Sequence, residues 1–160
     1  MKKLIILMSL ALSFTSAAAI EITSKTWYFA AMSTDNTSIY WINLGRLAVV
    51  DGKRRAWVGL VNDQDKRFDT VVRLREFDCK REKVCDLDTD VYRKGKFVKH
   101  FDATGKCLYP APNTIEEQLF DTVCKKEGKI EEELVTTFED ISDMTRMSMM
   151  IFDEARSYKK

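Results

Sequence analysis

The side chains that could carry catalysis are few in this sequence, and their neighbours favour other roles. His100 is the only histidine, and no nucleophile-elbow, zinc-protease or phosphate-binding glycine motif is present. Glu76 and Asp78 would share one face of a strand and could act as an acid–base pair. Arg73 and Arg75 stand beside them, which favours cross-strand ion pairs instead. We therefore expect a protein that is not an enzyme and that uses no cofactor.

Lysine and arginine side chains are the better candidates for a functional surface. They lie on neighbouring returns of the later strands and are Lys80, Arg81, Lys83, Arg93, Lys94, Lys96 and Lys99, with Lys106 nearby. If these turns converge, the cluster would attract a sulfated polysaccharide, an acidic protein segment or anionic lipid headgroups. The alternative is that these cations keep edge strands soluble and unpaired. The whole chain has 26 basic and 25 acidic residues, so nothing global indicates nucleic acid.

The N-terminus has the composition of a secretory signal peptide. A positive start, Met1-Lys2-Lys3, precedes an apolar run that is short for a membrane span and the small residues Ala17-Ala18-Ala19. We expect residues 1–19 to be removed on export and no transmembrane segment to remain; a retained membrane anchor is the alternative. No cysteine lies near this cut, so we expect no lipid anchor. The mature protein would be periplasmic or secreted, with display on the outer surface also open.

The four cysteines are Cys79, Cys85, Cys107 and Cys124. They have no C-x-x-C spacing and only one histidine to join them, so the sequence does not predict a zinc site. Asp86, Asp88 and Asp90 alternate as at the start of a calcium loop, but Val91 stands where that loop needs glycine. An even number of cysteines in an exported protein predicts two disulfides. From the spacing given above we expect no metal site. The spacing alone leaves three pairings open.

The region from residue 27 to residue 98 predicts about six strands joined by short turns. Trp27–Met32 and Ala56–Val61 are apolar on both faces, as strands in the middle of a sheet are. Asp51-Gly52 accepts the positive φ angles of a tight hairpin, and Gly95 marks another turn. Thr70–Cys79 would be a central strand that ends at a cysteine. This arrangement favours an antiparallel meander.

A short helix is predicted after Pro110 and Pro112, which end the strand pattern. Asn113 or Thr114 would cap its start, and Gly128 would end it. Its apolar side would hold Ile115, Leu119, Phe120, Val123 and Cys124. Cys124 would therefore face the core.

Residues 130–160 contain neither glycine nor proline and predict a second, long helix from Ile130 to Tyr158. Its apolar residues recur at close to a heptad period, and the partner-facing set is Ile130, Leu134, Phe138, Ile141, Met144, Met147 and Ile151. Such a helix would be roughly 40 to 45 Å long, which exceeds the diameter of a globule of about 110 residues. It could pack over its own sheet, form a coiled-coil homodimer or lie on a membrane, although its acidic face disfavours anionic lipid. We expect core use of its first half and partner use of its second.

Several short motifs occur in a fixed order across residues 26–125. They are Asp35-Asn36-Thr37-Ser38-Ile39, Trp57, Glu76-Phe77-Asp78-Cys79, Tyr92 with Gly95, and Pro112-Asn113-Thr114 leading through Glu117 and Leu119 to Val123-Cys124. With these motifs the chain resembles the surface-adhesin protein E family of exported bacterial proteins. It departs from the adhesin that gives the family its name in lacking a lipid-anchor cysteine, in carrying an additional cysteine pair and in extending past Cys124.

The resemblance implies an antiparallel sheet with a helix pinned to it by Cys79 and Cys124, which leaves Cys85 for Cys107. It also implies surface display, binding of host matrix proteins and dimers. We accordingly predict an α+β fold with a roughly six-stranded antiparallel meander sheet, a disulfide-pinned helix and a long C-terminal helix. The expected segments are a signal peptide at 1–19, the sheet with its helix at 20–128, and the amphipathic C-terminal helix at 129–160.

The predicted function is non-catalytic binding by an exported, adhesin-like protein, whose basic turns contact a host matrix protein or an anionic polysaccharide. The alternative is a periplasmic or envelope protein that uses its C-terminal helix to bind a second copy or a structural partner. The two predicted functions are distinguished by whether the protein can be reached from outside the cell, because an adhesin must be exposed there.

Overall fold

The computed structural model describes residues 21–65, 67–102, 105–124 and 131–158. The predicted signal peptide and Ile130 lie outside these ranges. The strands are β1 (Thr26–Met32), β2 (Ser38–Asn43), β3 (Ala48–Val50), β4 (Lys53–Asn62), β5 (Thr70–Asp78), β6 (Lys83–Arg93), β7 (Lys96–Asp102), β8 (Cys107–Leu108) and β9 (Val135–Thr137). The helices are α1 (Ile115–Cys124) and α2 (Ile141–Ser157), and short 3-10 turns occupy Leu44–Arg46 and Glu132–Leu134.

These strands form one antiparallel sheet in the order β7-β6-β5-β4-β2-β1-β9, with β3 added to β4 and β8 added to β6. The predicted α+β class and antiparallel sheet are confirmed. The described residues contain more strands than the expected six, and the strands that were not predicted are β8 and β9, which are only two and three residues long. Strands of that length show too little alternation to be recognised in a sequence. Strands β7 and β9 form the two ends of the main order.

The two helices cover opposite faces of the sheet. Alternate side chains of a strand point to opposite faces, and in β2 Ile39 and Trp41 pack with α2, whereas Ile42 packs with α1. We call these the α2 face and the α1 face. Met144 of α2 and Leu119 of α1 are fully buried. The sheet therefore divides the core into two clusters, one under each helix.

Helix α2 lies close to the sheet because a central position of β4 is glycine. A Cβ on Gly59 would lie 2.7 Å from Sδ of Met144, which is nearer than side-chain atoms approach. Above this point Nε1 of Trp41 donates a hydrogen bond to Oγ of Ser148 over 3.0 Å. The bond satisfies an indole that would otherwise be buried without a partner. Gly59 and the buried hydrogen bond between Trp41 and Ser148 thus fix the position of α2 on the sheet.

Disulfides tie two elements to the sheet. Cys79 at the end of β5 is bonded to Cys124, the last residue of α1, with the Cα atoms 5.5 Å apart. This confirms that the predicted cysteine pair pins the helix. Cys85 of β6 is bonded to Cys107 of β8. The second bond holds β8 beside the first half of β6, the part that β7 does not pair with.

The start of α1 carries a capping arrangement of the predicted kind. Oγ1 of Thr114 accepts the amide proton of Glu117 over 3.3 Å, and the Glu117 carboxylate accepts that of Asn113 over 2.7 Å. Two amide groups that the helix itself cannot satisfy thereby find acceptors. The predicted end of this helix at Gly128 lies outside the described residues.

A long C-terminal helix is confirmed, but it begins at Ile141 rather than near residue 130. Residues 132–134 form a 3-10 turn, and β9 pairs antiparallel with β1. All three residues of β9 are β-branched, which suits a strand, and pairing with β1 satisfies backbone groups at what would be an open edge. The carboxylate of Asp140 then accepts the amide proton of Asp143 over 3.0 Å and caps α2.

The later start removes the length argument for a partner. The 17 residues of α2 span about 25 Å, so the expected overhang does not arise. Phe138 and Met144, both in the partner-facing set, are instead buried in the core beside Trp41. The members of that set that are at least partly exposed are Leu134, Ile141, Met147 and Ile151.

Candidate functional site

The predicted basic residues fall into two separate groups. Successive hairpin turns of an antiparallel meander alternate between the two ends of the strands, so the β5–β6 and β6–β7 turns lie at opposite ends of β6. Strand β6 has 11 residues, which puts the turns roughly 33 Å apart. The turns therefore do not converge into a single cluster. The turn group is Lys80, Arg81 and Lys83; the hairpin group is Arg93, Lys94, Lys96 and Lys99.

The turn group is largely engaged in building its own turn. One carboxylate oxygen of Asp78 accepts the amide protons of Lys80 and Arg81 over 3.2 and 3.1 Å. The Arg81 guanidinium lies 3.9 Å from the other oxygen, and Lys83 stands opposite Asp78 in the backbone register of β5 and β6. Asp78 therefore shapes this turn through backbone amides and is an ionic partner of Arg81.

No side chain of the hairpin group has an ionic partner of the kind that Arg81 has. All four side chains are exposed, and none forms an ion pair within the described part of the chain. Every residue of the edge strand β7 is exposed as well. Phe97 is 58% exposed, and Nζ of Lys99 lies 4.7 Å from the ring centroid of Phe101. This hairpin therefore presents four unpaired cations together with two exposed aromatic rings.

Helix α2 holds the hairpin in place from the α2 face. Gly95 at the turn has φ +72°, and a Cβ there would lie 2.2 Å from Cβ of Ser142 at the start of α2. The amide of Lys94 donates to Oδ2 of Asp69 over 2.6 Å, which ties the turn to the residue before β5. The ring of Phe97 meets that of Tyr92 edge-on at 5.8 Å. The turn is thus fixed by contacts from residues distant in sequence.

His100 lies on the α2 face of the same hairpin, among carboxylates. Its Nδ1 is 2.9 Å from Asp90 and 3.3 Å from Asp88, and its Nε2 is 3.4 Å from Asp102. The hydrogen bond with Asp90, helped by the other two charges, raises the pKa of His100 above its ordinary value. No group of side chains in the described ranges has the geometry of a metal site. The cluster ties β7 to β6.

The carboxylates considered for acid–base chemistry are used in ion pairs. Glu76 lies 2.6 Å from Nζ of Lys53 and 2.8 Å from the Arg55 guanidinium. The hydrogen bond from Lys53 is the main cause that lowers the pKa of Glu76. The ion-pair interpretation of this carboxylate is therefore the right one, but with partners from β4 rather than Arg73 or Arg75.

Arg75 points to the other face and has a structural role. Its side chain is only 3% exposed and bridges Asp86 of β6 and Glu116 of α1, each over 2.7 Å. The attraction of these carboxylates raises the pKa of the guanidinium against the effect of burial. This arginine joins α1 to two strands and takes no part in a surface site.

A cleft on the α2 face has no counterpart in the sequence prediction. It encloses about 350 Å³ beside the first turn of α2, and strands β1, β2, β4, β5 and β6 all contribute to it. Trp57, Val72 and Tyr92 lie on the sheet side, with Arg46 and Asp90 among the charged lining. Nothing in the spacing of these residues indicates a site, because only strand pairing brings them together.

An apolar groove of about 410 Å³ runs between α2 and the β9 segment. Its lining includes Phe29 and Val135 from the sheet and Met147 and Ile151 from the helix. Met150, on the outer side of α2, is 66% exposed. Three members of the predicted partner-facing set, Leu134, Met147 and Ile151, therefore border a groove. Within the described ranges, no helix has the length and apolarity needed to cross a membrane.

Comparison with known families gives one match. The family model of the surface-adhesin protein E matches residues 29–125, which is more than half of the chain. The matched region runs from β1 to the end of α1 and contains the hairpin and the Cys79–Cys124 bond. It does not include β9 or α2. Neither the curated proteins nor the solved structures that were searched gave a match.

Proposed function

The chain belongs to the surface-adhesin protein E family, and we propose that it is an exported, non-catalytic binding protein that contacts its ligand through the β6–β7 hairpin. The ligand class is an anionic polysaccharide or an acidic segment of a host matrix protein. One observation carries the proposal: all four hairpin cations are exposed and without ion pairs within the described residues and lie beside two exposed aromatic rings, whereas in the turn group Arg81 lies beside the Asp78 carboxylate. An unneutralised cluster attracts anionic ligands over longer distances and more strongly.

The aromatic rings of the hairpin support a binding role over simple solubility. Lysines on an edge strand are enough to discourage pairing with other strands. Exposed Phe97 and Phe101 add nothing to that protection, since aromatic surface costs free energy in water. Aromatic residues next to cations are the composition enriched in the centres of interfaces. We therefore assign the contact surface to both kinds of side chain.

Charge reversal at the two basic groups tests the proposal. The variant Lys94→Glu/Lys96→Glu/Lys99→Glu should weaken binding to immobilised heparin, and to a panel of purified matrix proteins, by roughly tenfold or more. The control Lys80→Glu/Arg81→Glu/Lys83→Glu makes the same change in net charge at the other end of β6 and should have a much smaller effect. Equal losses in both variants would mean that net charge alone governs binding. No loss in the hairpin variant would reject the site.

Reachability on intact cells tests the adhesin assignment itself. A surface adhesin should be removed from whole cells by added protease, whereas a periplasmic protein should be protected until the outer membrane is opened. Protection on intact cells, with release in the periplasmic fraction, would reject surface display while leaving export correct.

Envelope assembly through α2 is the second candidate function, favoured by the exposed methionines beside the apolar groove. Methionine side chains adapt to varied partners, and Met147 and Met150 are 39% and 66% exposed. Deleting residues 130–160 cannot test it, because Phe138 and Phe152 are core residues. Met147→Glu/Met150→Glu should convert an assembled species to monomer in sedimentation experiments; an unchanged sedimentation coefficient would reject this function.

A further inference from the structure

The cleft beside the first turn of α2 has an aromatic floor that is still open to solvent. Trp57 and Tyr92 are only partly buried, although both pack against the core under α2. They lie on β4 and β6, on either side of Val72 of β5. A cavity of about 350 Å³ with such a floor has the size and character of a small-ligand site.

The carboxylates around the cleft already have partners. Glu139 is ion-paired with Lys25 at the rim. Asp140 caps α2 by accepting the amide proton of Asp143, and Asp90 accepts a hydrogen bond from the ring of the neighbouring histidine. The negative charges of the lining are therefore largely compensated by the protein itself.

The cation on the opposite wall is not compensated. The guanidinium of Arg46 is exposed and forms no ion pair or hydrogen bond within the described part of the chain. Its backbone is fixed, because its amide donates to Oδ1 of Asn43 over 2.9 Å and ends the turn after β2. An exposed guanidinium without a partner in the protein is suited to bidentate binding of a carboxylate.

Hydrogen-bond acceptors and donors remain on the β6 side. The Tyr92 hydroxyl and the second carboxylate oxygen of Asp90 have no hydrogen bond within the described residues. Three strand spacings separate β2 from β6, so the two walls are about 14 Å apart at the backbone. Side chains project inward from both walls and reduce this width. The space that remains above Trp57 accommodates one or two sugar rings.

We propose that this cleft binds a saccharide that carries a carboxylate, such as a uronic acid. The carboxylate lies at Arg46, a sugar ring stacks on the indole of Trp57, and hydroxyl groups bond to Tyr92 and Asp90. This inference stands apart from the hairpin group, since none of the hairpin cations lines the cleft. A ligand of this class explains both the uncompensated cation and the open aromatic floor.

Two matched sugars test the proposal on the full mature chain. Methyl glucuronide and methyl glucoside differ in having a carboxylate or a hydroxymethyl group on the same ring. Titration followed by tryptophan fluorescence and saturation-transfer NMR should show the glucuronide bound roughly tenfold or more tighter. Arg46→Gln should abolish that preference, and Trp57→Phe should weaken both sugars. The control Arg81→Gln, at an exposed arginine outside the cleft, should change neither.

The outcomes separate this site from the proposed function. Hairpin charge reversal should leave glucuronide affinity unchanged even where it abolishes heparin binding. Failure of both sugars to bind, or a preference that survives in Arg46→Gln, would overturn the inference. Binding of a lysine-containing peptide in place of the glucuronide would also overturn it, because the cleft would then take a cationic protein segment. Unchanged thermal unfolding of Arg46→Gln would exclude misfolding as the cause of a loss.

Discussion

Gly95 is the point at which α2 supports the β6–β7 hairpin, and replacing it tests that support directly. Its φ of +72° lies in the left-handed region, where a side chain is strained. A Cβ there would also lie 2.2 Å from Cβ and 2.7 Å from Cα of Ser142. Gly95→Ala therefore combines a backbone cost with a steric one, and either the hairpin or the first turn of α2 must move.

The structure allows the two costs to be separated. An alanine in the left-handed region costs about 1 to 2 kcal/mol, and forcing a methyl group into a packed contact adds roughly 1 to 3 kcal/mol. We expect Gly95→Ala to lower the free energy of unfolding by about 2 to 5 kcal/mol. Gly52→Ala is the matched control, because its φ is +74° and nothing lies within 4 Å of the added Cβ. It should show only the backbone cost.

Urea unfolding followed by tryptophan fluorescence measures both variants. Ser142→Gly in the Gly95→Ala background should restore part of the loss, since it removes the nearer of the two clashing atoms. Heparin binding should weaken in Gly95→Ala and stay unchanged in Gly52→Ala. If the two alanine variants lose the same stability, the contact with α2 does not support the hairpin and this reasoning is refuted.

Three further predictions concern the elements that hold the sheet together. Replacing Cys79 and Cys124 by alanine should lower the free energy of unfolding by about 4 kcal/mol in urea, because the bond closes a 45-residue interval; an unchanged midpoint would contradict this. Arg75→Ala should cost about 3 to 5 kcal/mol in the same assay, because two carboxylates lose their shared buried cation. His100 should titrate by NMR above its ordinary value, and Asp90→Asn should lower its pKa. Because the pKa of His100 is higher in the folded state, protonated His100 stabilises the fold. This contribution is complete below the unfolded-state pKa and is lost as pH rises through the folded-state pKa.

The part of the chain beyond the family match contributes to the core and to the edge of the sheet. The match ends at residue 125, yet Phe138, Met144 and Phe152 supply much of the core on the α2 face. The same segment adds β9 to the edge of the sheet and holds the hairpin through Ser142. Helix α2 is therefore an integral part of the folded domain and supports the candidate contact surface.

Features that depend on neighbouring residues were predictable from the sequence. The α1 cap at Thr114 and Glu117 depends on residues three apart, and the antiparallel sheet follows from strand runs joined by tight turns such as Asp51-Gly52. The cysteine pairing came instead from the family resemblance. Strand β9 was not predicted. Its three β-branched residues lie within an apolar pattern typical of a helix, and they form a strand only because the edge of the sheet is available to pair with.

The sequence by itself determined the class of fold, the number of disulfides to expect and which residues carry positive charge, because composition and short-range spacing carry that information. Only the tertiary structure decided where those charges lie relative to one another. Strand pairing separated the turn group from the hairpin group by the length of β6, and the same pairing brought Arg46, Trp57 and Asp90 around one cleft beside the first turn of α2. Such arrangements depend on contacts between residues far apart in the chain, so local pattern cannot specify them.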